Sequence, residues 1–311
     1  MKACKSKEIV ERLIKETPRL DVTPTVLFIQ PPNDPRSASY IKSKQNRLAD
    51  FGIDSETILL PENITNDKMN QLVDTINKYD IPTLIQLPLP DGVDDSVVKK
   101  LKAGIDIDAL GDEANAVLAN DPEHAILPAT VRAIMEYLKS FGCIDETKPF
   151  KHRLGGVTIT VVGRGPLIGR PLVRILSDMG ATVVCCNSNT NTDDLYYYIN
   201  SSDITVLATG KSELVKGHLI EYDRIIIDAG VSVINGKISG DLLPFLDNTE
   251  DGITYTPCIG GVGPLTVCSV ALNTIELISR LPQSTQQMIC NKFYVNSIIG
   301  GLKQWIQDLK N

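Results

Sequence analysis

The strongest constraint on this chain is its rhythm. Short runs of Val, Ile and Leu alternate with stretches whose apolar residues recur at helical spacing, over most of the length. Seven runs read as strands: 25–30 (TVLFIQ), 57–60 (TILL), 82–87 (PTLIQL), 157–162 (VTITVV), 182–186 (TVVCC), 204–208 (ITVLA) and 224–228 (RIIID). They are apolar throughout, which predicts strands buried on both faces of a mainly parallel sheet. Between them, 7–16, 40–50, 67–78, 131–140 and 168–179 carry helical patterns. Such alternation is the signature of an α/β fold. A length of 311 residues, at about 150 per domain, predicts two domains. The polar stretch 141–156 (FGCIDETKPFKHRLGG), with its Pro and Gly, marks the expected boundary. The tail 275–311 reads as helical. Ile298, Ile299, Leu302, Trp305, Ile306 and Leu309 share a face that must pack on something.

Charge and composition narrow the function. Against 31 Lys and Arg stand 38 Asp and Glu, a net charge of −7. That balance argues against nucleic acid, whose binding needs basic side chains to neutralise phosphates. No apolar run approaches the roughly 18 residues of a membrane span, and the opening MKACKSKEIV has no signal-peptide core. Neither a membrane nor an export route is expected. Seven scattered cysteines make a disulfide framework improbable and point to a reduced, cytoplasmic compartment. His124, His152 and His218 each lack a second ligand at metal spacing, and adjacent Cys185 and Cys186 face opposite sides of a strand. No metal site is expected.

In the second half, the strand 157–162 runs into Gly163-Arg164-Gly165-Pro166-Leu167-Ile168-Gly169 and then a helix. Glycines let a backbone approach a pyrophosphate, and a helix N-terminus offers it free N–H groups. The spacing G-x-G-x-x-x-G is one residue longer than the usual dinucleotide fingerprint, and a tight strand–helix turn would also use it. The strand, helix and strand that follow favour the nucleotide. The next strand ends in Asn187-Ser188-Asn189-Thr190, without the acidic residue that holds the ribose hydroxyls of NAD. Ser188 and Arg164 suit a 2′-phosphate instead, which favours NADP over NAD while leaving NAD open. The strand 204–208 runs into Thr209-Gly210, at the expected crevice. The run 257–266 (PCIGGVGPLT) reads equally as a cofactor-lining loop or a tight connection, with Thr266 able to cap the next helix.

In the first half, Tyr40 and Lys44 lie four apart and share a helix face. Gln86, inside LIQLPLP, sits near a buried strand end and needs a hydrogen-bond partner. Asp106 and Asp108 stand among apolar residues, as a binding pair or as turn and capping residues. Each piece alone has an ordinary structural explanation.

Together they resemble the methylenetetrahydrofolate dehydrogenase/methenyltetrahydrofolate cyclohydrolase family. The resemblance rests on Ser37-x-x-Tyr40-x-x-x-Lys44, Gln86-Leu87-Pro88-Leu89-Pro90, Asp106-x-Asp108, the Gly163-Arg164…Ile168-Gly169-x-Pro171 loop and Gly260-Gly261-Val262-Gly263-Pro264-Leu265-Thr266, in the family's order over about residues 7–280. It implies a folate-binding lobe over 1–145 and a Rossmann-like, doubly wound dinucleotide domain over 150–275. It also implies that the C-terminal helix in 276–311 packs back on the first lobe, that the lobes face each other across a cleft, and that two chains pair as a homodimer through the nucleotide domains. The implied chemistry is oxidation of 5,10-methylenetetrahydrofolate with NADP or NAD, then hydrolysis of the methenyl product to 10-formyltetrahydrofolate. By the same resemblance Lys44 is the catalytic lysine of hydrolysis, Gln86 its hydrogen-bond partner and Asp108 the pterin ligand. Tyr40 stacks on the folate and Pro264 lies beside it. Gly163, Arg164, Gly165, Ile168, Gly169, Ser188, Thr209 and Gly210 line the cofactor.

The chain departs from the pattern in several places. Ala109 stands where the family commonly has glycine, Ala129 and Val131 replace Cys and Pro of a Pro-Cys-Thr-Pro run, Gly165 replaces a serine, and Asn187 a histidine. Cys258 and Ile259 interrupt the usual Pro-Val-Pro-Gly-Gly. The folate residues are the more intact set. Three rivals therefore accompany the leading reading: a folate- or nucleotide-binding protein without catalysis, a dehydrogenase-only member, and another two-domain dehydrogenase with an amino-acid or shikimate-type substrate.

Overall fold

The computed structural model describes every residue except 33–34, 222, 235, 245–251 and 310–311. In chain order the first elements are β1 (Lys2–Ala3), α1 (Lys7–Glu16), β2 (Thr25–Gln30), α2 (Pro35–Asp50), β3 (Asp54–Leu59), α3 (Asn66–Ile76), β4 (Thr83–Ile85), α4 (Asp112–Asn120) and α5 (Ala129–Ser140). Then come β5 (Thr158–Val162), α6 (Gly169–Asp178), β6 (Thr182–Cys186), α7 (Thr192–Asn200), β7 (Ile204–Leu207), β8 (Val215–Lys216) and β9 (Ile225–Asp228). The last are β10 (Ser232–Ile234), β11 (Lys237–Ser239), β12 (Leu242–Leu243), β13 (Thr254–Tyr255), α8 (Val262–Ser279), α9 (Gln283–Ile289) and α10 (Lys292–Asp308).

Contacts divide the chain into two units, residues 1–15 with 130–266, and residues 16–129 with 267–311. The division differs from the sequence expectation at both ends. Residues 1–15 leave the first lobe because β1 pairs in parallel with β13, Lys2 opposite Thr254. The border after the first lobe falls at the start of α5, not in 141–156.

The unit containing 130–266 is built on a six-stranded sheet of order β1-β13-β9-β7-β5-β6, parallel at each pair. β5 has β6 on one side and β7 on the other, so successive connections leave it in opposite directions. Ligands of open parallel sheets bind outside the strand ends at such a switch point. β5, β7 and β9 are buried as their composition predicts. β6 is an edge strand and half-exposed, contrary to the expectation of burial on both faces. Its Cys185 is exposed and Cys186 buried.

The other unit holds a parallel three-stranded sheet, β3-β2-β4. Central β2 buries Val26, Leu27, Phe28 and Ile29. α3 lays Met69, Leu72, Val73 and Ile76, an i, i+3, i+4, i+7 stripe, into the same core, and α10 adds Val295, Ile299, Leu302 and Ile306. β3 begins at Asp54, three residues before the expected start. As an edge strand it carries polar residues outward: Asp54 pairs with Lys292 at 2.7 Å and Glu56 with Lys303 at 2.7 Å. Each such exposed pair is worth about 0–1 kcal/mol. Each fully buried α10 aliphatic side chain is worth about 1.5–3 kcal/mol, so the apolar face decides where α10 sits. Contrary to the expectation that no apolar run would approach membrane-span length, α8 is long and apolar enough by length and composition to cross a membrane, and two thirds of it is buried inside the protein.

Candidate functional site

Of the candidate residues in the first half, the structure brings Lys44 and Gln86 into contact. α2 carries Tyr40, which is exposed, and Lys44, only 7% exposed. β4 continues its ladder to Gln86, whose N–H donates to Ile29 O at 2.9 Å. The Lys44 Nζ donates to Gln86 Oε1 at 3.1 Å, and the Gln86 amide nitrogen is occupied by Leu87 O at 2.8 Å. That second bond fixes which end of the amide faces the lysine. Burial pushes the Lys44 ammonium below the ordinary lysine range, and the charge of Asp108 partly opposes it. Asp108 Oδ1 accepts from the N–H of Ala129, the first residue of α5, at 3.3 Å. Lys44 and Gln86 are therefore in contact, one on a helix and one at a strand end, and Asp108, on a loop, is near enough for its charge to act on the lysine.

The loop around Asp108 has its own frame. Asp106 is 1% exposed, and its carboxyl accepts from Gly111 N at 2.7 Å and Asp108 N at 3.2 Å. Burial raises that carboxyl to about 7, against the pull of these hydrogen bonds. Ala109, where the family commonly has glycine, has φ +51°. For an L-residue this conformation costs about 1–2 kcal/mol.

On the nucleotide side, Gly163 has φ +114°, and a Cβ there would run into Ala208 O, at the end of neighbouring β7. A Cβ on Gly169 would strike Gly163 O, whereas Gly165 opens onto free space. The loop therefore folds tightly over the β5–β7 switch point. Ile168 is the residue before α6 and gives that helix no side-chain cap, although the N–H of Arg170, its second residue, donates to Gly165 O at 3.0 Å. Val162 pairs with Cys186. Arg164 and Ser188 thus each lie two residues past the same rung of adjacent strands, and both are exposed. Asn187 forms a turn with Thr190. Pro264 is exposed in the first turn of α8, where proline is tolerated. Thr266 does not cap that helix, since its hydroxyl donates back to Val262 O at 3.1 Å.

Thr209 is committed elsewhere. Its N–H and hydroxyl both donate to Asp241 Oδ2, at 2.6 and 2.8 Å. Gly210 follows with φ +66°. Asp241 is fully buried, and its Oδ1 has no hydrogen-bond partner among the described residues. Nearby Asp228 accepts from Gly230, Asp241 and Leu242 backbone N–H groups at 3.0–3.2 Å. Nothing in the local sequence pattern sets this pair apart from ordinary turn residues. Its only trace there is two carboxylates beside glycines, Asp228-Ala229-Gly230 and Gly240-Asp241.

Known proteins match most of the chain. Residues 2–108 match the family model "Tetrahydrofolate dehydrogenase/cyclohydrolase, catalytic domain", and residues 128–281 match "Tetrahydrofolate dehydrogenase/cyclohydrolase, NAD(P)-binding domain". The chain belongs to the tetrahydrofolate dehydrogenase/cyclohydrolase family. Within this family, the "Bifunctional protein FolD" of Acetivibrio thermocellus is 32% identical over 278 residues, covering 88% of this chain and 92% of that protein. The bifunctional 5,10-methylenetetrahydrofolate dehydrogenase/cyclohydrolase of Thermoplasma acidophilum has a crystal structure similar at TM-score 0.75, with 27% identity over 89% of this chain and 97% of that one. The Trypanosoma brucei enzyme, solved with NADP cofactor and an inhibitor, gives 0.74, with 26% identity over 89% and 97%. The family match ends at residue 281, so α9 and α10 lie beyond it.

Proposed function

We propose that this family member oxidises 5,10-methylenetetrahydrofolate to the methenyl form with NADP and hydrolyses that product to 10-formyltetrahydrofolate. The observation that carries the reading is Lys44, a buried amine held by a neutral amide. No ion pair reaches it among the described residues. A buried ammonium without a contacting counter-ion favours its neutral form, and a cationic methenyl substrate favours it further. Neutral Nζ takes a proton from the water that attacks the one-carbon bridge, and Gln86 keeps it aimed. Asp108 binds the pterin by charge-assisted hydrogen bonds, and Tyr40 stacks on the folate.

NADP fits the residues present. The tight Gly163–Gly169 loop, with Ile168 and Gly165, would hold a pyrophosphate through its backbone at the start of α6, which has no side-chain cap. Arg164 and Ser188 sit level to read a 2′-phosphate, and Gly210 borders the same crevice, held by Thr209. When bound, NADP supplies the hydride acceptor of the first step. Arg164→Ala raises the KM for NADP more than that for NAD; equal changes would remove the arginine from phosphate reading. The folate lobe is the unit containing Lys44, and the nucleotide domain the unit containing Gly163.

A second copy of the chain is the expected partner. The β10–β11 hairpin forms its own two-stranded sheet and leaves Val231, Val233, Ile234 and Ile238 about half exposed. Pairing there makes a homodimer in a reducing cytoplasm, where the seven free thiols persist. Sedimentation that finds a monomer at micromolar concentration would refute it. For the activity, steady-state assays of both steps with NADP and NAD decide. Cofactor binding without turnover means a binding protein, and oxidation without hydrolysis means a dehydrogenase-only member.

A further inference from the structure

Of the two carboxylates in the Asp106–Asp108 segment, the more deeply buried, Asp106, has no part in the chemistry proposed for Lys44 and Asp108. Asp106 has no ion pair among the described residues, yet each of its oxygens accepts a backbone N–H, Oδ1 from Asp108 and Oδ2 from Gly111. Only a carboxylate-shaped group accepts at both positions, because an amide would present N–H to one of the two donors. The surroundings are cut to fit it. A Cβ on Gly111 would stand 2.5 Å from Leu101 O and 3.1 Å from Asp106 Oδ2.

The same segment is tied to the strand that carries Gln86. Thr83 and Asp106 form a parallel bridge, with Thr83 N donating to Ile105 O at 2.7 Å and Ile107 N to Thr83 O at 3.3 Å. From the other side, the buried Asn273 amide on α8 donates to Ile107 O at 2.9 Å and Leu127 O at 2.8 Å. These two carbonyls flank the Asp108–Ala129 hydrogen bond. The backbone N–H groups of Ile107, Asp108, Ala109 and Gly111 are thus all held, three of them by Asp106 through its carboxyl or its carbonyl.

We propose that Asp106 is a positioning residue of the folate site: it locks the 106–111 loop so that the Asp108 carboxyl stays within reach of both the pterin and Lys44. The inference rests on the folate reading of Lys44 and Asp108.

The test is Asp106→Asn in the full chain, assayed with methylenetetrahydrofolate and NADP and, separately, by methenyl hydrolysis across pH. The KM for the folate rises at least about tenfold, while the KM for NADP stays unchanged. Asp108 is the charged group that raises Lys44, so a loosened Asp108 lets the lysine titrate lower, and the acidic limb of hydrolysis moves to lower pH. A merely structural residue would lower the amount of folded enzyme and leave that limb in place. An unchanged folate KM and an unmoved limb would overturn the proposal. Should Asp106→Asn yield no folded protein, Asn273→Ser frees the Ile107 carbonyl of the same loop, and the same two readouts apply with the same power to overturn it. If Lys44→Met and Asp108→Asn both leave folate kinetics intact, it is the folate reading itself that fails.

Discussion

Asp228 and Asp241 each occupy the space over a glycine next to the other. A Cβ on Gly240 would run into Asp228 Oδ2, and a Cβ on Gly230 would run into the Asp241 carboxyl. The arrangement clasps three loops at the C-terminal ends of β7 and β9, including Thr209-Gly210. It also puts two carboxyls in one dry place. Burial and the neighbouring Asp241 raise Asp228 to about 6 from an ordinary 3.8.

The folded protein therefore holds this proton where the unfolded chain has released it. The stability it contributes is complete below about pH 4 and is lost as pH rises through 6. A shift of about two units corresponds to roughly 3 kcal/mol. Asp228→Asn does not titrate, so the stability gap between wild type and variant shrinks by that order between pH 4 and pH 7 in urea unfolding. A constant gap across this window would show that the carboxyl ionises freely in place.

Lys44→Met abolishes methenyl hydrolysis and leaves the thermal midpoint equal or higher. Methionine fills the same space without burying a polar amine, and volume-conserving apolar replacements cost less than about 1.5 kcal/mol. Retained hydrolysis in a folded variant would remove the lysine from the reaction.

Ala109 tests how this chain tolerates its departure from the family's glycine. Ala109→Gly relieves the left-handed backbone, about 1–2 kcal/mol, against a comparable loss from the freer unfolded chain and the missing methyl. The net change is within about 0.5 kcal/mol of zero, whereas Ala133→Gly, at a buried helical position of α5, costs about 1 kcal/mol or more. Equal destabilisation at the two sites, by chemical denaturation, would contradict the strain.

α10 separates two kinds of attachment. Ile299→Ala removes a buried side chain and costs about 2–5 kcal/mol. Lys303→Ala removes the exposed pair with Glu56 and costs less than about 1 kcal/mol. Comparable losses would mean that charge rather than apolar burial docks the segment beyond the family match.

Read alone, the chain reveals its α/β alternation because helix and strand periods are written in neighbouring residues. β2 and β6 run over the expected 25–30 and 182–186, and α1 over 7–16. The motif residues Lys44, Gln86 and Asp108 were legible by type and order. Edges were not. The start of β3 carries Asp54, Ser55 and Glu56, which no apolar pattern marks, because an edge strand answers to α10 from the far end of the chain. Nor did local pattern indicate that Lys44 would lie 3.1 Å from Gln86, 42 residues away, that Thr209 would be consumed by Asp241, or that Asp106 would anchor Asp108. Secondary structure follows from sterics and burial along a few residues, whereas a site depends on which distant loops share a place, and only packing of the whole unit brings them together.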